Sequence, residues 1–254
     1  MMSGQIQDLA VLVPGQDDRA VLETLITKRH ASLNIRRIDV EFIVSPQRDP
    51  GCFHSAASLL DMFQNSCRHA LVVFDYEGCG QEHKLKPHEV ESSVKKSLAI
   101  SGWTDRAEVV VIKPELEAWV WSLSPSVDDV LGWTGRSPSL RDWMKNKGLL
   151  TQDNNKPDRP KEAMEMALKT SGVRRSSANF RKLAEHVGLN KCSDPSFGRL
   201  RSIPRRRSAV RRAAADVRLP AARFPATQSP GAGAAQRPAP LRPVRRAVLA
   251  VPGP

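Results

Sequence analysis

The sequence predicts an α/β fold: a mainly parallel sheet, followed by a helical C-terminal extension and a disordered basic tail. Three observations lead there. Short unbroken apolar runs alternate with amphipathic helical stretches four times over residues 6–122, the rhythm of a parallel sheet layered with helices. The run Leu71-Val72-Val73-Phe74 has no polar interruption, as a strand buried on both faces requires. From Arg201 onward the chain holds 12 Arg, no Lys and one acid, Asp216, and it lacks the apolar periodicity needed to offset its ordering entropy.

The first expected strand covers residues 8–13 and ends at Pro14-Gly15, a strong break signal. Asp17 or Asp18 then serves as the N-cap of a helix whose apolar face is Ala20, Val21, Leu22, Leu25 and Ile26. Residues 35–44 form a second strand, with Ile38, Val40, Phe42 and Val44 alternating against Arg37, Asp39, Glu41 and Ile43. Residues 46–51 read as a turn-rich loop, and 55–65 as a helix with Ala56, Leu59, Leu60 and Phe63 inward. The third strand is 70–74. The helix over 87–100 follows, with Glu89 and Glu91 early and Lys95-Lys96 later, an order that suits the helix dipole. A fourth strand spans 107–112 and stops at Lys113-Pro114. Pro114 is expected at N1 of the next helix, with Glu115 and Glu117 in its first turn.

Residues 123–203 are polar and helical by pattern, with helices at 140–150, 161–170, 177–186 and 195–200 and a loop at 154–160. Asp194-Pro195 resembles a capped helix start. This extension is expected to pack on the sheet or close over its edge. The tail over 204–254 is expected to be disordered, because its Arg, Ala, Pro and Gly content supports no packed core. All four residue types have GC-rich codons, which also fits an out-of-frame reading that begins near Ile203; resequencing the locus tests this. A polybasic arm for nucleic acid is the functional alternative.

Charge narrows the classes. The chain carries +12 in all and its last 54 residues +11, so residues 1–200 are close to neutral. The basic isoelectric point belongs to the tail and gives no sign that the body binds nucleic acid. The N-terminus has no basic and apolar leader pattern, and no apolar stretch reaches membrane-spanning length. A cytoplasmic protein with reduced thiols and no membrane partner is therefore expected. Cys67-x-His69 and Cys79-x3-His83 lack the paired Cys-x2-Cys spacing of zinc sites and read as ordinary thiols.

The acids carry the chemistry. Asp75 ends the third apolar run and Glu77 follows two positions on. If the backbone stayed extended, both carboxylates would project to one side. Gly78 and Gly80 then allow a sharp turn. Glu115 and Glu117 follow the fourth strand, and open α/β sheets bind ligands at the carboxyl ends of their strands. An all-oxygen set of Asp75, Glu77, Glu115 and Glu117 suits Mg²⁺ or Mn²⁺, which activates water and stabilises charge on a phosphoryl group. The structural alternative is that Glu115 and Glu117 simply favour a helix start.

Three segments together resemble a known family: Val11-Leu12-Val13-Pro14-Gly15-Gln16-Asp17-Asp18, Phe74-Asp75-Tyr76-Glu77-Gly78-Cys79 and Pro114-Glu115-Leu116-Glu117-Ala118-Trp119. They look like the Toprim-like proteins of bacterial mobile and defence islands, in particular a small component of methylation-associated anti-phage defence systems. Pro160-Lys161-Glu162-Ala163 and Pro195-Ser196-Phe197-x-Arg199-Leu200 are similar to the helical end of these proteins. The resemblance spans about residues 8–203. It implies a Rossmannoid sheet and a Mg (or Mn) ion held by a Glu after the first strand and an Asp-x-Asp pair. Here Pro14 stands in the place of that Glu, Asp17 or Asp18 is the candidate substitute, and Asp75-Tyr76-Glu77 keeps two acids. The implied ligands are Asp75, Glu77, Glu117 and Asp17, and the implied catalytic residues Asp75, Glu77 and Glu115. The implied activity is a Mg-dependent nuclease acting on phosphodiester bonds of DNA or RNA, working with other defence-system proteins. The alternative is a non-catalytic scaffold, or a partner that binds nucleotide or nucleic acid, in a multi-protein defence complex.

Other residues have simpler readings. Lys161 fits a solvated helix start better than a phosphate contact. His83 and His88 flank the acidic turn without ligand spacing. Trp103, Trp119, Trp121, Trp133 and Trp143 fit core packing between sheet and extension better than a base-stacking platform.

Overall fold

Four strands line up side by side, all parallel, in the order β2-β1-β3-β4. They are β1 (Gln7–Val13), β2 (Val40–Val44), β3 (Cys67–Asp75) and β4 (Ala107–Ile112). The computed structural model describes residues 6–203, apart from 123, 152, 153, 189–191 and 193. All of these lie in one compact unit. The expectation for 204–254 falls outside the described residues.

Alternation along the strands sends side chains to two separate cores, as the period of two requires. Val11, Val13, Leu71, Val73, Val110 and Ile112 face one side. Ala10, Leu12, Ala70, Val72, Phe74, Val109 and Val111 face the other. The second side is covered by α2 (Arg48–His54), α3 (Ala56–Asp61) and α4 (Pro87–Leu98), through Cys52, Leu60, Val90, Val94 and Leu98. The first side is covered by α1 (Gln16–Glu23) and by the C-terminal helices. The split follows from crossover handedness. The chain steps from β1 to β2 in one direction and from β2 to β3 and β4 in the other, so crossovers of one hand place α1 opposite α2–α4. This is a Rossmann-type α/β arrangement with three layers.

One helix cannot cover four strands, and the extension supplies the rest of that layer. It holds α6 (Pro125–Val130), α7 (Leu140–Asn146), α8 (Pro160–Ser171), α9 (Ser177–His186) and α10 (residues 195–203), and α5 (Glu117–Val120) leads into it and completes the same layer. Trp119, Trp121, Trp133 and Trp143 are buried there, and Trp103 lies in the other core. Two of the indole N–H groups bond firmly within the fold, Trp121 to the Pro160 carbonyl at 2.8 Å and Trp119 to Ser196 Oγ at 2.8 Å. Core packing is thus their role.

Several boundaries move from the expected ones. The 46–51 segment is not a loop throughout, since α2 begins at Arg48 and runs through Pro50 and Gly51. Pro50 is tolerated there because first-turn N–H groups have no partner within the helix. The expected 55–65 helix is shortened to α3. The N-cap of α1 is Gly15, which places Asp17 and Asp18 within the first turn. β2 shrinks to an edge strand of five residues. Pro114 lies three residues ahead of α5, which is only a single turn. At the β4 edge, the Glu91 carboxylate accepts from Val111 N at 2.9 Å and Arg199 donates to the Val111 carbonyl at 3.1 Å. These contacts occupy groups that an edge strand otherwise leaves open. Among the described residues, no helix is long and apolar enough to cross a membrane.

Candidate functional site

The strand order reverses between β1 and β3, and a cleft of about 660 Å³ opens at their carboxyl ends. Open α/β sheets form their ligand crevice at such a point. The turn after β1 contributes Asp17 and Asp18, the start of α2 contributes Asp49, the end of β3 contributes Asp75, and α5 contributes Glu117. Cations come from elsewhere: Arg48 from α2, Lys161 from the start of α8, and Arg175 from the turn between α8 and α9.

Local backbone sets these positions. An added Cβ on Gly15 would lie 3.2 Å from Asp18 Oδ2, so the bare backbone leaves room for that carboxylate. A Cβ on Gly51 would lie 2.2 Å from Ser45 Oγ, and glycine is what lets α2 press against the 45–47 loop. That approach brings Asp49 over the β1 end to accept from the Asp75 backbone N–H at 2.9 Å. Asp75 is thereby positioned from two elements, its own strand and the start of α2.

The carboxylates divide into partnered and unpartnered groups. Arg175 donates to Glu117 Oε1 at 2.8 Å and to Asp17 Oδ2 at 3.0 Å, and it stacks on the Phe180 ring with its guanidinium carbon 4.8 Å from the centroid. Ser177 Oγ donates to Asp17 Oδ1 at 2.8 Å. Glu115 lies beside the cleft, where its Oε1 accepts from the Lys161 backbone N–H at 2.8 Å and its Oε2 lies 3.7 Å from Lys161 Nζ. It caps the first turn of α8 from a distant part of the chain. By contrast, Asp18 Oδ1 and Asp75 Oδ1 have no hydrogen-bond partner, although these residues are only 8% and 7% exposed.

Burial and mutual repulsion shape the titration. Burial, followed by the nearby Asp49 carboxylate and then Glu117 and Asp17, pushes Asp18 up to about 8. Asp75 is raised well above the usual carboxylate range by burial and then by Asp18, Asp49 and Glu117, with Lys161 opposing. Burial also raises Asp49, despite the N–H bond it accepts from Asp75. Burial lowers Lys161 and Arg175, but Glu117 with Glu115 and Asp75 outweighs this at Lys161, and Glu117 with Asp17 at Arg175, so both end raised. Buried carboxylates crowded this closely need a proton or a cation to coexist.

The residues expected from sequence separate here. Asp75, Glu117 and Asp17 line the cleft, while Glu115 borders it. Glu77 does not join Asp75. β3 ends at Asp75, the chain turns, and Glu77 is left exposed outside the cleft lining. Its backbone N–H bonds to the Pro114 carbonyl at 3.1 Å. Asp49 and Arg175 escaped sequence reasoning. Asp49-Pro50-Gly51 carries a turn signature, and Arg175 lies 58 positions from Glu117 with no local pattern to link them. Lys161 is exposed at the start of α8, as its solvated reading expects, and its Nζ also lies 3.7 Å from Glu115 Oε2.

Among the described residues, no group of three or more His, Cys, Asp or Glu side chains is gathered at metal-holding distance. A second cleft of about 840 Å³ lies between Trp119, Lys156 and Asp194. Its lysine donates to the Ala118 carbonyl and its Asp194 caps α10, so both groups are engaged structurally. Comparison with protein-family models, curated proteins and solved structures finds no match to this chain.

Proposed function

We propose that the switch-point cleft binds a divalent cation, Mg²⁺ or Mn²⁺, and acts on phosphodiester bonds as part of an anti-phage defence system. The observation that carries this reading is the pair of buried, unpartnered carboxylate oxygens of Asp18 and Asp75, one on each side of the switch point. Mg²⁺ keeps several waters and commonly takes only one or two protein carboxylates. A two-carboxylate site therefore needs no preassembled cage of three ligands, and an all-oxygen donor set fits a hard cation. Asp18 and Asp75 are the ligands in this reading, in place of the expected set of Asp75, Glu77, Glu117 and Asp17. Asp49 orients Asp75 through its backbone N–H, and Arg175 fixes Glu117 and Asp17. Lys161, drawn in by Glu115, adds positive charge where a phosphoryl group would lie. When bound, the cation would activate water and offset charge on the phosphoryl oxygens. A cytoplasmic setting, a nucleic-acid substrate and other defence proteins as partners complete the proposal.

A second reading has its own support: a non-catalytic member of a defence complex. Pro14 replaces the Glu that the family pattern expects, and Asp17 and Glu117 already share Arg175 as an ion-pair partner.

Titration of the full chain with Mn²⁺ by calorimetry tests the cation site, with an Asp18→Asn/Asp75→Asn protein beside it. Binding that weakens by more than about tenfold in the variant is expected, since even changes around a ligand shell cost that much. Equal binding by both proteins, or none by the wild type, would discard the cation reading and leave the non-catalytic one.

A further inference from the structure

We infer that Arg48 forms a phosphate-binding subsite at the mouth of the cleft, which captures the anionic group of the ligand; this rests on the reading of the cleft as a phosphodiester site. Three observations converge on this residue. Its backbone has φ +52 at the entrance of α2, a region that a Cβ-bearing residue rarely occupies. Glycine would hold that turn without steric conflict, yet the chain places a long cation there. Strain of this kind concentrates where geometry serves a ligand.

The second observation is its freedom. Lys161 is drawn to Glu115, and Arg175 to Glu117, Asp17 and Glu165. Among the described residues lining the cleft, Arg48 is the cation with neither a salt bridge nor a side-chain hydrogen bond, and it is exposed. Its guanidinium therefore has an open fork of donors, the geometry that grips phosphate through two parallel bonds. The third observation is what the cleft lacks. No aromatic ring is among its lining residues, so no base-stacking platform is offered. Recognition would rest on the phosphate, and the ligand class is a phosphodiester read through its backbone without base preference. The acids on the cleft floor exclude a bare polyanion, so Arg48 acts together with the cation at Asp18 and Asp75.

The test compares full-length wild type, Arg48→Gly and Arg48→Lys. The probe is a cleavage-resistant phosphorothioate-linked thymidine dinucleotide, titrated by calorimetry in saturating Mn²⁺. Mn²⁺ affinity and Tm are measured on the same proteins, and the basic tail is common to all three. Arg48→Gly is expected to bind the dinucleotide about tenfold or more weakly, the scale of a lost charge-assisted hydrogen bond. Its Tm should be equal or higher, because glycine relieves the backbone, and its Mn²⁺ affinity equal or tighter. Arg48→Lys should fall between, since it keeps the charge and loses the fork. Unchanged dinucleotide binding in Arg48→Gly, with Mn²⁺ still bound, would overturn the subsite and leave the cation site standing. A lower Tm accompanying weaker binding would make Arg48 a structural residue and also overturn it. Failure of the wild type to bind Mn²⁺ would remove the cleft reading and the subsite together.

Discussion

A carboxyl group that keeps its proton up to about pH 8 works against the fold once that proton leaves, and Asp18 is such a group. In the unfolded chain an Asp titrates near 3.9. Between about pH 4 and 8 the folded state therefore holds a proton that the unfolded state has released, and stability falls as pH rises across that window. Asp75 is shifted in the same direction by burial and by the same neighbours. Asp18→Asn, melted without divalent ions, should exceed the wild-type Tm at pH 8 by roughly 3–8 °C, the shift that a few kcal/mol produces at this size. The two proteins should converge near pH 4. A variant no more stable than wild type at pH 8 would show that Asp18 is not crowded as described. Sequence reading reached Asp75 because an apolar run ends on it. It could not rank Asp18 over Asp17, because both occupy the same turn of α1 and only burial against Asp49 and Asp75 separates them.

Single helices show where local signals suffice. Asp194 was legible as the cap of the last helix, and its Oδ1 accepts from Ser196 N at 2.9 Å and Phe197 N at 3.1 Å. The cap also reaches into the tertiary structure, because Trp119 Nε1 lies 3.2 Å from the same oxygen. Asp194→Ala should cost about 1–2 kcal/mol, the usual loss for an N-cap. Chemical denaturation would detect this as a lower midpoint with an unchanged slope, and an unchanged midpoint would sink the capping argument. α2 is the opposite case. Its Asp-Pro-Gly opening looks like a turn, and only packing of Gly51 against Ser45 holds it as a helix that delivers Asp49 and Arg48 to the cleft. Glu77 was misplaced for a related reason: alternation predicts a shared face only while the strand continues, and β3 stops at Asp75.

At the scale of the molecule, the extension is a layer of the fold. The residues of α5 to α10 share one core with Val11, Val13, Leu71, Val73, Val110 and Ile112. Truncation after residue 122 should therefore expose this face and yield a species that binds the dye ANS and melts without cooperativity, as loosely packed states do. A cooperative melt from that fragment would show the sheet domain to be independent. The same layer supplies Lys161 and Arg175 to the acids of the sheet, so removing it would dismantle the site as well. The sequence by itself determined the four strands and the helices other than α2 and α6, the parallel sheet, the place of Asp75 at a strand end and the burial of the tryptophans. Each follows from the spacing of apolar residues over a few turns of chain. Only the tertiary structure decided which acids meet, that Asp49, Lys161, Arg175 and Arg48 join them, and that Glu77 stays outside. Those meetings depend on strand order and on contacts as distant as the 158 positions between Asp17 and Arg175, and no local periodicity encodes separations of that length.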